Sequence, residues 1–238
     1  MELFPPDALG GFALLPFALL GAVLGLDVVS FPQAMLSRPL VAATLAGALA
    51  GRPAAGLLEG AVLELFALET LPVGASRYPE WGSASVVGGA LYATQPESAA
   101  GALALSTLCA LVAAYVGGAS MVLLRRLNGQ LARAQLDRIA AGSRRSVVAL
   151  QLAGAAADLV RGFALTVVAL GLSQPLVAFG RDTWASDMRL SRAVVTGLAA
   201  TVAGAAVWKL FHAVPRARWL FVGGIAAGLL AMALLRGV

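Results

Sequence analysis

This 238-residue chain has one cysteine and one histidine, so it is poor in the side chains most used for metal and thiol chemistry. Cys109 sits alone in an apolar stretch, which excludes an internal disulfide and a thiolate cluster and reads as a small lipid- or core-facing residue. His212 is far from it in sequence, so neither a metal site nor a resident cofactor is expected. The chain also lacks a P-loop, a Gly-x-Ser-x-Gly elbow and a dinucleotide fingerprint. No catalytic residue is assigned, and covalent chemistry by this chain alone is not expected. Charge is scarce as well, at 12% of residues. The formal net charge of +5 does not point to nucleic acid, because the basic residues fall in short inter-helix stretches and not in an aromatic-rich patch.

What fills the chain is apolar sequence. Hydrophobic residues make up 60% of it, and the mean hydropathy is +0.86. Both values lie outside the range of soluble domains and place the chain in the bilayer. The expected fold is an all-α integral membrane protein, a single polytopic domain over residues 1–238 with about six to seven membrane-embedded segments. Residues 1–7 contain Glu2 and Asp7 but no Lys or Arg, so a signal peptide is not indicated. Phe12 to Leu26 then reads as a retained first transmembrane helix with its start outside the cytoplasm.

Residues 27–92 interrupt this pattern. Pro39 to Ala50 is apolar but amounts to only about 18 Å of helix, little more than half of a hydrocarbon core of about 30 Å. Gly51-Arg52-Pro53 breaks the helix, and Ala54 to Leu71 turns back with Glu59, Glu64 and Glu69 inside it. A broken re-entrant hairpin near residues 39–71 is the sequence pattern of a transporter site, since irregular backbone at membrane depth survives only beside protein or a polar cavity. Asp27, Pro32 and Gln33 precede it, and an acid at that depth is by default a functional candidate; the competing reading is a helix cap with an interfacial loop.

These residues resemble a known family. Arg38-Pro39-Leu40, Gly60 to Glu64, Val73-Gly74-Ala75 and Pro79-Glu80 are similar to motifs of the membrane-embedded IIC subunit of the mannose/fructose/sorbose class of sugar phosphotransferase systems. The likeness is specific over roughly residues 27–90. It implies a sugar-binding and translocating subunit of the bacterial inner membrane, partnered by a IID membrane subunit and a soluble IIAB phosphoryl carrier. It also implies that Glu64, at the family's Leu-Glu position, contacts the sugar. Asp27, Gln33, Glu69 and Ser76 join it as candidate sugar contacts. A homo-oligomer is left open.

The hairpin glutamates are five residues apart, so successive ones point about 140° apart and cannot all line one cleft of an unbroken helix. A carboxylate accepts hydrogen bonds from two sugar hydroxyls, which suits Glu64. Glu59 and Glu69 are expected to pair instead with Arg38, Arg52 or Arg77. The turn from Ser76 to Trp81 reads as an interfacial anchor or as a cap on the sugar site.

Beyond the hairpin, Gly101 to Leu124 is a transmembrane helix, and residues 125–146 carry Arg125, Arg126, Arg133, Arg138, Arg144 and Arg145 against Asp137 alone. The positive-inside rule makes this a basic cytoplasmic loop, able to hold an amphipathic interfacial helix. In the next span Asp158 and Arg161, at i and i+3, are expected to form a structural ion pair. Residues 173–187 are expected as an external loop, followed by two more spans over residues 191–211 and 219–235. Two other classes stay open at this point: a secondary transporter without phosphotransferase partners, and a degenerate regulatory membrane subunit.

Overall fold

The computed structural model describes residues 11–69, 77–96 and 98–235. Among these residues all regular structure is helical. A 3-10 turn, Gly11–Leu14, leads into α1 (Leu15–Asp27). Three short helices follow: α2 (Pro39–Leu49), α3 (Pro53–Ala67) and α4 (Trp81–Ala93). Then come α5 (Ala102–Ala134), a five-residue α6 (Leu136–Ala140), α7 (Arg144–Thr183), α8 (Met188–Phe211) and α9 (Ala217–Leu235). Four of these, α5 and α7 to α9, are long and apolar enough to cross a membrane.

The local sequence explains the short helices. α2 and α3 each begin with a proline, whose fixed φ suits a first helical turn and whose missing N–H costs nothing there. The residue before each proline is kept out of the helical region, so Arg38 is extended and ends the preceding loop. Gly51 takes φ +76°, a left-handed conformation that ends α2 and lets the chain double back. The result is a tight antiparallel pair. A Cβ at Gly47 would stand 2.7 Å from the Cα of Gly56, so the two backbones approach closer than any side chain permits.

α4 is the hub. Every residue from Gly82 to Ala93 is buried, in a run made mostly of Gly, Ser, Ala and Val that lets α1, α2, α3, α5 and α7 pack around it. The core cluster joins Phe17 and Leu24 of α1, Ala42 and Ala46 of α2, Val86 and Leu91 of α4, and Leu170 and Val177 of α7. Large apolar side chains face outward along the long helices, as with Leu108, Leu172, Leu198 and Leu229. That surface is suited to hydrocarbon and not to water. α9 meets α8 through an edge-on ring contact between Trp208 and Phe221, centroids 5.7 Å apart.

Two stretches differ from the sequence reading. Residues 173–183 continue α7 in place of an external loop, and the connection to α8 is only residues 184–187. Pro175 lies inside this helix without ending it. Leu170 and Val177 on either side of it are wholly buried, and this packing carries the helix through. The basic segment 125–146 is likewise largely helical, built from the end of α5, α6 and the start of α7.

Candidate substrate site at the open end of the hairpin

The loop of residues 28–37 forms the site's framework. Asp27, almost completely buried, accepts the amide of Ala34 at 2.7 Å with one carboxylate oxygen and that of Ser37 at 2.9 Å with the other. This loop holds two non-glycine residues in the left-handed region, Gln33 at φ 58° and Met35 at φ 60°. Such conformations persist only where the surroundings over-determine them, and they concentrate at functional sites. Gln33 donates its amide to the carbonyl of Val29 at 2.9 Å, leaving its side-chain oxygen at an exposed position.

The loop delivers Arg38 to the open end of the hairpin, where it forms an ion pair with Glu64. Glu64 also accepts the backbone amide of Leu40 at 3.2 Å. Gly60, one turn before Glu64, makes this possible. A Cβ there would lie 2.7 Å from the carbonyl oxygen of Pro39 and would push α3 off α2. The pair keeps partial contact with its surroundings, its side chains 37% and 22% exposed, so the carboxylate is reachable by a ligand.

The other predicted residues separate. Glu69 lies exposed just past α3, and Ser76 falls outside the described residues. Arg77 is exposed and has no acidic partner among the described residues, so the expected ion pair is not formed there. Glu59 corrects a second expectation. It pairs with no arginine among the described residues but is enclosed between α3, α4 and α5, where Ser106 donates to it at 3.0 Å and Thr107 at 3.2 Å. Gly88 leaves the room for it, since a Cβ there would stand 2.9 Å from the Glu59 Oε1.

Asp158 and Arg161 do pair, Nε to Oδ1 at 2.8 Å, as their spacing implies. The pair is part of a larger buried network. Ser30 donates to Asp158 at 2.9 Å, Arg161 donates to Ser120 at 3.3 Å, and Glu80 lies 3.9 Å from Arg161. Glu80 is the residue that sequence reasoning missed as an interior acid. It caps α4 by accepting the amide of Ser83 at 3.1 Å, and a glutamate directly before a helix of small residues is the signal that marks it. Also missed was Tyr78, whose hydroxyl accepts from Arg125 at 2.5 Å, tying the chain before α4 to the basic end of α5.

Comparison with known proteins now bears on this arrangement. The profile of the family described as the PTS system sorbose-specific IIC component matches residues 12–235. A solved structure described as that of a membrane protein superposes with a TM-score of 0.70 at 19% identity, covering 94% of this chain and 92% of that one, which shows the shared fold. No match was found among curated proteins. The chain belongs to the sorbose-specific IIC family, the membrane-embedded sugar-specific components of the mannose/fructose/sorbose class of phosphotransferase systems.

Proposed function

We propose that this chain is the sugar-translocating subunit of a complex in a bacterial inner membrane, acting with a IID membrane subunit and a soluble IIAB phosphoryl carrier. In this reading the whole chain is one polytopic domain. Residues 27–92 carry the substrate, and the basic segment 125–146 faces the cytoplasm, where the phosphoryl donor docks.

The observation that carries it is the Arg38–Glu64 pair at the open end of a hairpin. The arms of that hairpin, 11 and 15 residues, reach about 16 and 22 Å, short of a core of about 30 Å. A partly exposed carboxylate is a bidentate acceptor for adjacent sugar hydroxyls, and the guanidinium beside it holds it in place. Asp27 sets the loop, Gln33 offers its amide oxygen, and Glu69 extends the polar rim; Ser76 is a candidate contact from the sequence alone. Because the hairpin packs on α4 through glycines and alanines, it has a smooth surface along which to move as a body.

The test is purification from a host co-expressing IID and IIAB subunits of a sorbose-class system. A IID-like protein retained on this chain through size exclusion, together with sorbose phosphorylation that needs all components, is the expected result. A chain that purifies alone, and whose removal leaves phosphorylation unchanged, would overturn the proposal.

A further inference from the structure

A second polar opening lies on the other side of the loop that delivers Arg38. Residues 121–132 of α5 and 150–158 of α7 face each other across a cleft of about 780 Å³, closed on a third side by loop residues 29–31. That volume falls within the range of about 300–1,000 Å³ usual for small-molecule sites. Five polar side chains converge on it: Ser30, Arg125, Asn128, Gln151 and Asp158.

Their state specifies the ligand. Asp158 is 1% exposed, and each of its oxygens already accepts one hydrogen bond, from Arg161 and from Ser30. Arg161, which Asp158 shares with Glu80, faces it directly, while each oxygen keeps one lone pair for another donor. Arg125 is committed to Tyr78, whose hydroxyl accepts from it and over whose ring the guanidinium sits at 5.1 Å. Asn128 is half-buried and Gln151 exposed, and neither side chain has a hydrogen bond among those described. Each amide offers both a donor and an acceptor. Phe31, 72% exposed, presents a ring at the rim.

A carboxylate with spare acceptor capacity, two uncommitted amides and an aromatic ring among apolar walls complement a molecule whose polar groups both donate and accept. A free anion would meet the carboxylate of Asp158. A purely apolar ligand would cover the amides and leave their donors and acceptors unpaired. We infer that this cleft is a second monosaccharide-binding site, distinct from the hairpin end and on the side of the basic segment. The inference rests on the sugar-transport reading above.

The two sites share one loop. Ser30 joins it to Asp158 in the cleft, Asp27 clamps it through Ala34 and Ser37, and Arg38 ends it at Glu64. A sugar that draws the Ser30 hydroxyl away from Asp158 therefore acts on the segment that positions Gln33 and Arg38.

The experiment uses the full chain, with co-purifying subunits, in a Cys109→Ala background carrying Ala132→Cys at the cleft wall. Arg126→Cys, an exposed position of α5 that does not line the cleft, is the control. L-Sorbose is the probe, with N-ethylmaleimide labelling read by mass shift. Sorbose should slow labelling at position 132 several-fold and leave position 126 unchanged, and Gln151→Leu should weaken binding of radiolabelled sorbose about tenfold or more. If sorbose binds the unsubstituted chain but neither protects position 132 nor notices Gln151→Leu, the cleft site is wrong and the transport reading stands. If neither sorbose, fructose nor mannose binds, both are wrong. Protection by anionic phospholipid and not by sorbose would make the cleft a lipid site and overturn it as well.

Discussion

Arg38 and Glu64 are joined across the open end of the hairpin because they lie equally far from its turn, thirteen residues before Gly51 and thirteen after. In an antiparallel pair of helices closed at Gly51, residues at equal distances from the turn come level with each other. That register gives Arg38 to Glu64 and leaves Glu59 level with position 43, inside the helix pair. The pair is partly exposed, so its worth to stability is small, about 0.2–1 kcal/mol for such a geometry. Its importance is in presenting the carboxylate.

Glu64→Gln should therefore fold normally and bind sugar poorly. Losing charge-assisted hydrogen bonds costs about 1.5–3 kcal/mol, or roughly ten- to a hundred-fold in affinity. Equilibrium binding of radiolabelled sorbose to the purified complex checks this, and unchanged affinity would remove Glu64 from the site.

Glu59 should behave in the opposite way. Its partners are the hydroxyls of Ser106 and Thr107, and no cation pairs with it among the described residues. Glu59→Gln keeps the shape and an acceptor oxygen in the same box, so the melting temperature in detergent should move little. Glu59→Ala empties a fully buried position and strands both hydroxyls, with a loss of about 2–5 kcal/mol by analogy with other large-to-small core changes. Equal damage from the two substitutions would show that the charge of Glu59 matters.

Much of this was legible in the sequence, and the omissions have identifiable reasons. The first helix, the break at Gly51-Arg52-Pro53 and the small-residue helix after Pro79-Glu80 follow from composition and punctuation, which are local. The Asp158–Arg161 pair is local too, one turn of a single helix. The surroundings of Glu59 were not legible, because Ser106 and Thr107 lie 47 and 48 residues away and nothing in a serine marks the acid it will meet. The Arg38–Glu64 partnership was available from the turn position but not from charge spacing alone. The continuation of α7 through residues 173–183 was not legible, because the burial of Leu170 and Val177 is set by tertiary packing.

The buried network predicts an order of damage. Arg161→Met leaves Asp158 and Glu80 in the interior without their shared cation, and breaking such a buried pair costs about 3–5 kcal/mol. Asp158→Asn should be milder, because Glu80 remains to face Arg161. Thermal unfolding and membrane yield of the two variants give the comparison, and the reverse order would contradict the network.

Close glycine packing gives a further contrast. Gly47→Ala places a methyl 2.7 Å from the Cα of Gly56, so the hairpin must open, at about 1–3 kcal/mol. Gly197→Ala in α8 meets nothing within 4 Å and should be neutral or slightly stabilising. Transport lost in the first variant and kept in the second is the expected result; full transport by Gly47→Ala would mean the two arms are not packed as described.

Reconstituted vesicles provide the most direct measurement. This chain is placed in them with IID, and IIAB, the general phosphoryl carrier and its phosphoryl donor are supplied on the side of the basic segment. Labelled sorbose offered from the opposite side should accumulate only as its phosphate ester, and only when every component is present. Vesicles holding this chain alone should show no gradient-driven uptake. Accumulation of unmodified sorbose by the lone chain under a proton or sodium gradient would contradict a phosphotransferase subunit and make it a secondary transporter.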